Sequence, residues 1–269
     1  MKYPKTIKDM SDKEYADAEG IRSTLVKNFL DGTPFAFYKN FICPERPPSV
    51  FEKPTAALEQ ALNIGSATHC FVLEPHNFEK RFYIDEDNLK RGTIKQRALV
   101  AKHKDKTVIK AQEFAAVKKM RDSLFSNKGV KKLLQKGDAE ISLFWKEGDQ
   151  PFKCRFDFLT KENIIIDLKT TKDACPKNFL SSIRGFKYQI QAAFYQRAAR
   201  KALGLKKNPP FIFISVSKVY PHECAILALG PSTMAQAERD LKGAIEKMID
   251  CKNRNSWPSH GEHLHVLEL

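Results

Sequence analysis

The chain has 269 residues, 42% hydrophobic and 29% charged, enough for one large domain or two small ones around a substantial core. Lysine and arginine outnumber aspartate and glutamate by 46 to 32, giving a formal +14 and a pI near 9.4; the balance favours a polyanionic partner, nucleic acid before an anionic membrane surface. An apolar run of about 18 residues is missing, which argues against a transmembrane helix, and no G-x-x-x-x-G-K-[ST] occurs, which argues against a nucleotide-driven motor.

In chain order, MKYPKTIKDMSDKEYADAEG (1–20) has no apolar core and does not read as a secretory signal, so a cytoplasmic protein is expected. GIRSTLVKNFLDGTPFAFYKNF (20–41) predicts a helix broken near Gly32-Thr33-Pro34, then an aromatic segment. ERPPSVFEKPT (45–55) reads as a proline-rich surface loop. ALEQALNIGSATHCFVLEP (57–75) has helical spacing, with Leu58, Leu62, Ala67, Cys70 and Phe71 on one face. Residues 85–110 are polar and lysine-rich, a loop or mobile segment, and EFAAVKKMRDSLFSNKGVKKLLQKG (113–137) predicts two amphipathic helices ending at Gly137.

The period then shortens to two. AEISLFW (139–145), FKCRFDFL (152–159) and IIIDLKTT (164–171), separated by the turns KEGDQ and TKEN, predict a three-stranded antiparallel meander. A long helix, FKYQIQAAFYQRAARKALG (186–204), is closed by Gly204. FIFISVSKVY (211–220) and ECAILALG (223–230) form a hairpin around Pro221-His222, and PSTMAQAERDLKGAIEKMIDC (231–251) is the closing helix, capped by Ser232 or Thr233. The order α–β–β–β–α–β–β–α predicts an α/β fold, a mixed central sheet flanked by helices with helical N-terminal additions. One domain, 1–269, is expected, mainly helical over 1–137 and sheet-forming over 138–269. Cys43, Cys70, Cys154, Cys175, Cys224 and Cys251 are scattered with no C-x-x-C pair, which argues against a zinc ribbon or iron–sulfur cluster and for reduced thiols.

The third strand carries the chemistry. Side chains alternate along a strand, so Asp167 and Lys169 share one face while Ile164, Ile166 and Leu168 take the other. In the preceding strand Cys154, Phe156 and Phe158 are expected on one face and Arg155 and Asp157 on the opposite one. Pairing the strands about Glu162 sets Asp157 directly opposite Asp167, with Cβ atoms about 4.5–5.5 Å apart. Two carboxylates so placed repel one another unless a divalent cation joins them, and carboxylates plus water and substrate phosphate are the usual setting for Mg²⁺. Lys169, one pleat on, offsets phosphate charge or positions a water.

CRFDFLTKENIIIDLKTT resembles the D…(D/E)-x-K core of the PD-(D/E)xK nuclease superfamily, with Phe156 where proline is common and Asp167 as the second acid. Gln191-Ala192-Ala193-Phe194-Tyr195 resembles the Q-x-x-x-Y element of RecB-type nucleases; Tyr188, Gln191 and Tyr195 then form one helical stripe able to touch the scissile phosphate or terminal base. GSATHCFVLEP (65–75) resembles the G-x-x-x-H-x-x-x-L-E-P segment of RecE-type exonucleases, exodeoxyribonuclease VIII and phage relatives. The resemblance implies a restriction-endonuclease-like core and hydrolysis of DNA phosphodiesters with Mg²⁺, for which Mn²⁺ substitutes. Asp157 and Asp167, helped by the Leu168 carbonyl, hold the main ion; His69 and Glu140 complete a second site or outer shell; Lys169 orients or helps deprotonate the attacking water. It further implies a homo-oligomeric ring acting on double-stranded DNA ends, 5′ to 3′, leaving 3′ overhangs for a RecT-like single-strand annealing protein in a bacterial or phage-infected cell. Two rivals stand beside it: an endonuclease of the same superfamily, which cuts closed circles, and a DNA-binding or annealing protein without chemistry. A third, weaker reading, a peripheral membrane protein, calls for a basic amphipathic helix with a large apolar face, and the sequence shows none.

Overall fold

The computed structural model describes residues 3–8, 10–44 and 55–261. Strand β1 (Lys5–Ile7) and helix α1 (Asp12–Asp17) open the chain. Ser11 starts α1 by accepting from the Glu14 N–H, and the Glu14 carboxylate accepts from the Ser11 N–H in return. The break at Gly32-Thr33-Pro34 separates α2 (Ser23–Phe29) from α3 (Pro34–Phe41), so the aromatic segment is itself helical; Thr33 caps it and Pro34 occupies its first turn. All but the last residue of the proline-rich 45–55 segment lies outside the described residues. That last residue, Thr55, caps α4 (Ala56–Leu73). The buried residues of α4 are Ala67, Thr68, Cys70 and Val72; Leu58 and Leu62, expected on that face, are 52% and 56% exposed because the first half of the helix borders an open cleft.

The polar stretch 85–110 is structured rather than a loop. Helix α5 (Phe78–Arg81) leads into β2 (Phe82–Asp85), which pairs in parallel with β3 (Thr107–Lys110); α6 (Ile94–Lys102) lies in the crossover. Apolar periodicity is missing from α6 because it buries no residue. Helices α7 (Ala111–Ser126) and α8 (Lys128–Leu133) follow, and Gly137, expected to end the second, instead begins β4 (Gly137–Glu147).

Strands β4, β5 (Gln150–Thr160) and β6 (Ile165–Thr171) form the expected meander. The β4–β5 turn uses two residues, with Gly148 at φ +58 supplying the left-handed conformation. Helices α9 (Pro176–Gly185) and α10 (Tyr188–Leu203, ending on left-handed Gly204) return the chain to β7 (Phe211–Ser217), which pairs in parallel with β6. Strand β8 (Cys224–Leu227) makes a hairpin with β7, and α11 (Pro231–Arg254) closes the fold. The cap of α11 is Gly230, not Ser232 or Thr233: Pro231 has the right φ and no N–H to satisfy, so the helix starts earlier. The six-stranded sheet runs β1-β4-β5-β6-β7-β8. The N-terminal part is therefore not purely helical, since β1 is an edge strand of the main sheet.

Helices cover both faces. On one, Leu143, Phe156 and Phe213 pack against Phe194 of α10, Leu241 of α11 and Val26 of α2. On the other, Phe158, Ile166 and Val216 pack against Ala67 of α4 and Met120 of α7. Phe156 and Phe158, expected on one face, thus lie in opposite cores, as do Ile141 and Ala139 on β4. The cause is Glu140, a non-glycine residue at φ +50, which turns β4 through itself while the register continues from Ala139↔Phe158 to Ile141↔Phe156. Among the described residues no helix is long and apolar enough to cross a membrane, and all six cysteines are free.

Candidate active site

The backbone irregularity is where the acidic residues collect. Strands β5 and β6 pair only at Phe158↔Ile166 and Leu159↔Ile165, and continuing that register by one residue sets Asp157 opposite Asp167. There the ladder stops: the Leu168 N–H donates to Asp157 Oδ2 at 2.8 Å, so the carboxylate fills the opening between the strands. Helix α4 approaches from the other side. A Cβ on Gly65 would lie 3.3 Å from Thr170 Oγ1, so glycine lets α4 come close to β6. That approach puts His69 Nδ1 3.4 Å from Asp157 Oδ2. His69, Glu140 and Asp157 each offer a ligand atom, all within 4.8 Å of one another.

Asp167 and Lys169 share a face, as alternation requires, with Lys169 Nζ 2.5 Å from Asp167 Oδ1. Helix α10 lies over this pair. Gln191 donates to Asp167 Oδ2 at 2.7 Å and to the Tyr195 hydroxyl at 3.1 Å, and it accepts from Lys169 at 3.4 Å. Gln191 and Tyr195 are buried, Tyr195 packing on Phe156 and Phe211, so both stand behind the acid–lysine pair rather than at the open surface expected of substrate contacts. Tyr188 does reach the cleft, its ring lying 4.7 Å from Lys169 Nζ and 5.6 Å from Lys27 Nζ.

Burial, with the Asp157 and Glu74 carboxylates, pushes Glu140 up to about 8. Burial and Asp157 likewise raise Asp167 to about 7 against the pull of Lys169. Burial lowers His69, outweighing Asp157, so the imidazole is neutral at neutral pH and its lone pair is free for a metal. Burial opposes charge on Lys169 too, but Asp167 and Asp157 outweigh it and hold the ammonium above its ordinary value. Lys169 is therefore a fixed positive charge in the metal-free protein.

The donor set fits a divalent cation. It combines a neutral imidazole with the Asp157 carboxyl group and with Glu140, whose carboxyl burial and neighbouring carboxylates keep protonated, and Asp167 Oδ1 is buried without a well-directed hydrogen bond. A cleft of about 720 Å³ opens onto the group, lined among others by His69, Glu140, Tyr188, Lys172 and Lys218.

Several neighbours had no sequence signal as site residues. Asp12 of α1 pairs with Arg155 at 2.7 Å and Arg81 at 2.8 Å; Arg81 continues to Glu74 at 3.4 Å, and Arg155 lies 3.9 Å from Glu140. Lys153 holds α1 in place by donating to the carbonyls of Tyr15, Ala16 and Ala18. Glu74 lies within the GSATHCFVLEP segment (65–75); the contacts of Asp12 span 69 and 143 residues of chain and leave no local pattern.

Residues 35–269 match the DUF3799 family model, described as a PDDEXK-like domain of unknown function. A crystal structure described as a "Putative exonuclease" from Eubacterium rectale superposes with a TM-score of 0.66 at 16% identity, covering 97% of this chain and 95% of that one. The curated proteins searched gave no match.

Proposed function

The chain belongs to the PDDEXK-like DUF3799 family, and from that premise we propose that it is a metal-dependent nuclease working on double-stranded DNA ends. The observation that carries the reading is the gathering of His69, Glu140 and Asp157 within 4.8 Å, beside an Asp167–Lys169 pair. Asp157, His69 and Glu140 would hold a divalent ion, Mg²⁺ or Mn²⁺, with Asp167 and the Leu168 carbonyl at its margin. Such an ion supplies Lewis-acid polarisation of a phosphoryl oxygen and acidification of a bound water. The chain's own groups do the rest. Lys169 presents fixed positive charge to the phosphate oxygens, Gln191 holds the Asp167 carboxylate toward the strand opening, and Tyr188 offers a ring at the cleft wall.

We extend the reading to a RecE-type exonuclease: 5′ to 3′ degradation leaving 3′ overhangs, a homo-oligomeric ring and a RecT-like annealing partner. The GSATHCFVLEP segment supports it, because the residues that segment brings to the site, Gly65, His69 and Glu74, each have a placement there. The likeness to a solved structure described as an exonuclease points the same way. The test is digestion of a linear duplex labelled at either end, beside a closed circle, with Mg²⁺ or EDTA. Stepwise loss of the 5′ label with Mg²⁺ and an intact circle is expected. Cutting of the circle would replace the reading with an endonuclease, and identical behaviour in Mg²⁺ and EDTA would replace it with a binding protein.

A further inference from the structure

Residues 90–110 carry eight lysines and arginines against one aspartate, half of the chain's net charge of +14. Lys90, Lys95, Arg97, Lys102, Lys104 and Lys106 are all exposed, and among the described residues none of the six forms a salt bridge. The segment is nonetheless built. Its base is the parallel β2–β3 pair; Arg91 binds Glu113 through two hydrogen bonds of 2.7 and 2.9 Å, and Tyr83 stacks on His103 at 3.6 Å. Helix α6 buries nothing, and Ile94 on it is 83% exposed. Packing does not explain an exposed helix of unneutralised like charges, which repel one another in the free protein.

Helix α4 connects this arm to the candidate active site. One flank of α4 lines the catalytic cleft through Leu58, Leu62, Gly65 and His69. Its first turns, at Ala56, Glu59 and Asn63, form one wall of a second groove of about 730 Å³ whose other wall includes Arg91, Arg97 and Lys106. From His69 back to Ala56 the helix rises about 20 Å, which is roughly six base pairs of duplex.

We propose that the arm over residues 90–110 grips the phosphate backbone of duplex DNA about six base pairs from the bond presented to the candidate active site. The inference rests on the nuclease reading for its partner and deepens it. A duplex backbone carries about one negative charge per 1.7 Å along its axis, so exposed lysines on α6 and on the segments that flank it engage it without reading sequence.

The experiment replaces Lys90, Lys95, Lys102, Lys104 and Lys106 together with alanine and, in a second protein, with arginine. Binding to a duplex of about 20 base pairs and to a hairpin with a stem of about five is measured by fluorescence anisotropy in EDTA across a salt series. For the long duplex the alanine protein is expected to bind more weakly, with the slope of log K against log salt reduced by roughly 2–4. The arginine protein should keep the slope, and the short hairpin should bind all three proteins alike. Wild-type affinity and slope in the alanine protein would overturn the proposal. So would equal weakening on the short hairpin, an arginine protein as weak as the alanine one, or displacement of the duplex by phosphatidylserine vesicles. Because cleavage plays no part in EDTA, a chain that binds through the arm yet leaves DNA intact in Mg²⁺ keeps this inference and loses the nuclease reading.

Discussion

The Lys169 ammonium meets Asp167 at 2.5 Å and the Tyr188 ring at 4.7 Å, so its position is fixed before any phosphate arrives. Lys169→Met keeps the stem and removes the charge. Turnover of a linear duplex should fall by about 10²–10³-fold with the circular dichroism spectrum unchanged; full activity in a folded variant would remove Lys169 from the site. Gln191 acts through Asp167, so Gln191→Ala should lower kcat by roughly 10–100-fold while leaving KM nearly unchanged, whereas a residue touching DNA directly would raise KM. Metal affinity should depend on pH. The pKa of Glu140 is raised to about 8 and that of Asp167 to about 7 without a cation, so at neutral pH Glu140 is mostly protonated and Asp167 about half protonated, and a divalent ion has to displace that proton population. Mg²⁺ affinity should therefore rise as pH rises toward 8, and titration calorimetry in two buffers of different ionisation enthalpy should register proton release.

Among the elements, β4 and β5 carry the strictest steric demands. A Cβ on Gly137 would lie 2.4 Å from both the Leu159 carbonyl oxygen and the Phe158 ring. Gly137→Ala should cost about 1–3 kcal/mol, read as a lowered denaturant midpoint with an unchanged slope. Every strand of the meander was visible in the sequence because a half-buried strand writes its period into the chain. Helix α6 was not, because a helix that buries nothing leaves no apolar period. Leu58 and Leu62 depart from the expected burial for a related reason: helical spacing says which residues share a face, and only the neighbouring elements say how far along the helix that face is covered.

For the molecule as a whole, two ion pairs tie distant parts together: Arg91 with Glu113, and Arg197 of α10 with Glu147 at the end of β4. Burial is the largest single influence and raises both carboxyl groups, but hydrogen bonds and positive charge together outweigh it, from Arg91 and Lys110 on Glu113 and from Arg197, Trp145 and Lys201 on Glu147, and hold both below the ordinary 4.5. A depressed carboxylate stabilises the fold above its unfolded pKa and loses that contribution as pH falls through the folded value. Thermal stability should thus decline below about pH 4.5, and the decline should be shallower in Glu113→Gln combined with Glu147→Gln, which are already destabilised at neutral pH. The sequence by itself determined the α/β class, the meander and the closing helices, and it pointed to Asp157, Asp167, Lys169 and His69 as candidate site residues, because strand alternation and short motifs are local properties of the chain. Only the tertiary structure decided that Glu140 turns left-handed and sends Phe156 and Phe158 to opposite cores, and that Gly65 lets α4 carry His69 to Asp157. Packing across 88 residues of chain makes that last contact, and no spacing rule reaches so far.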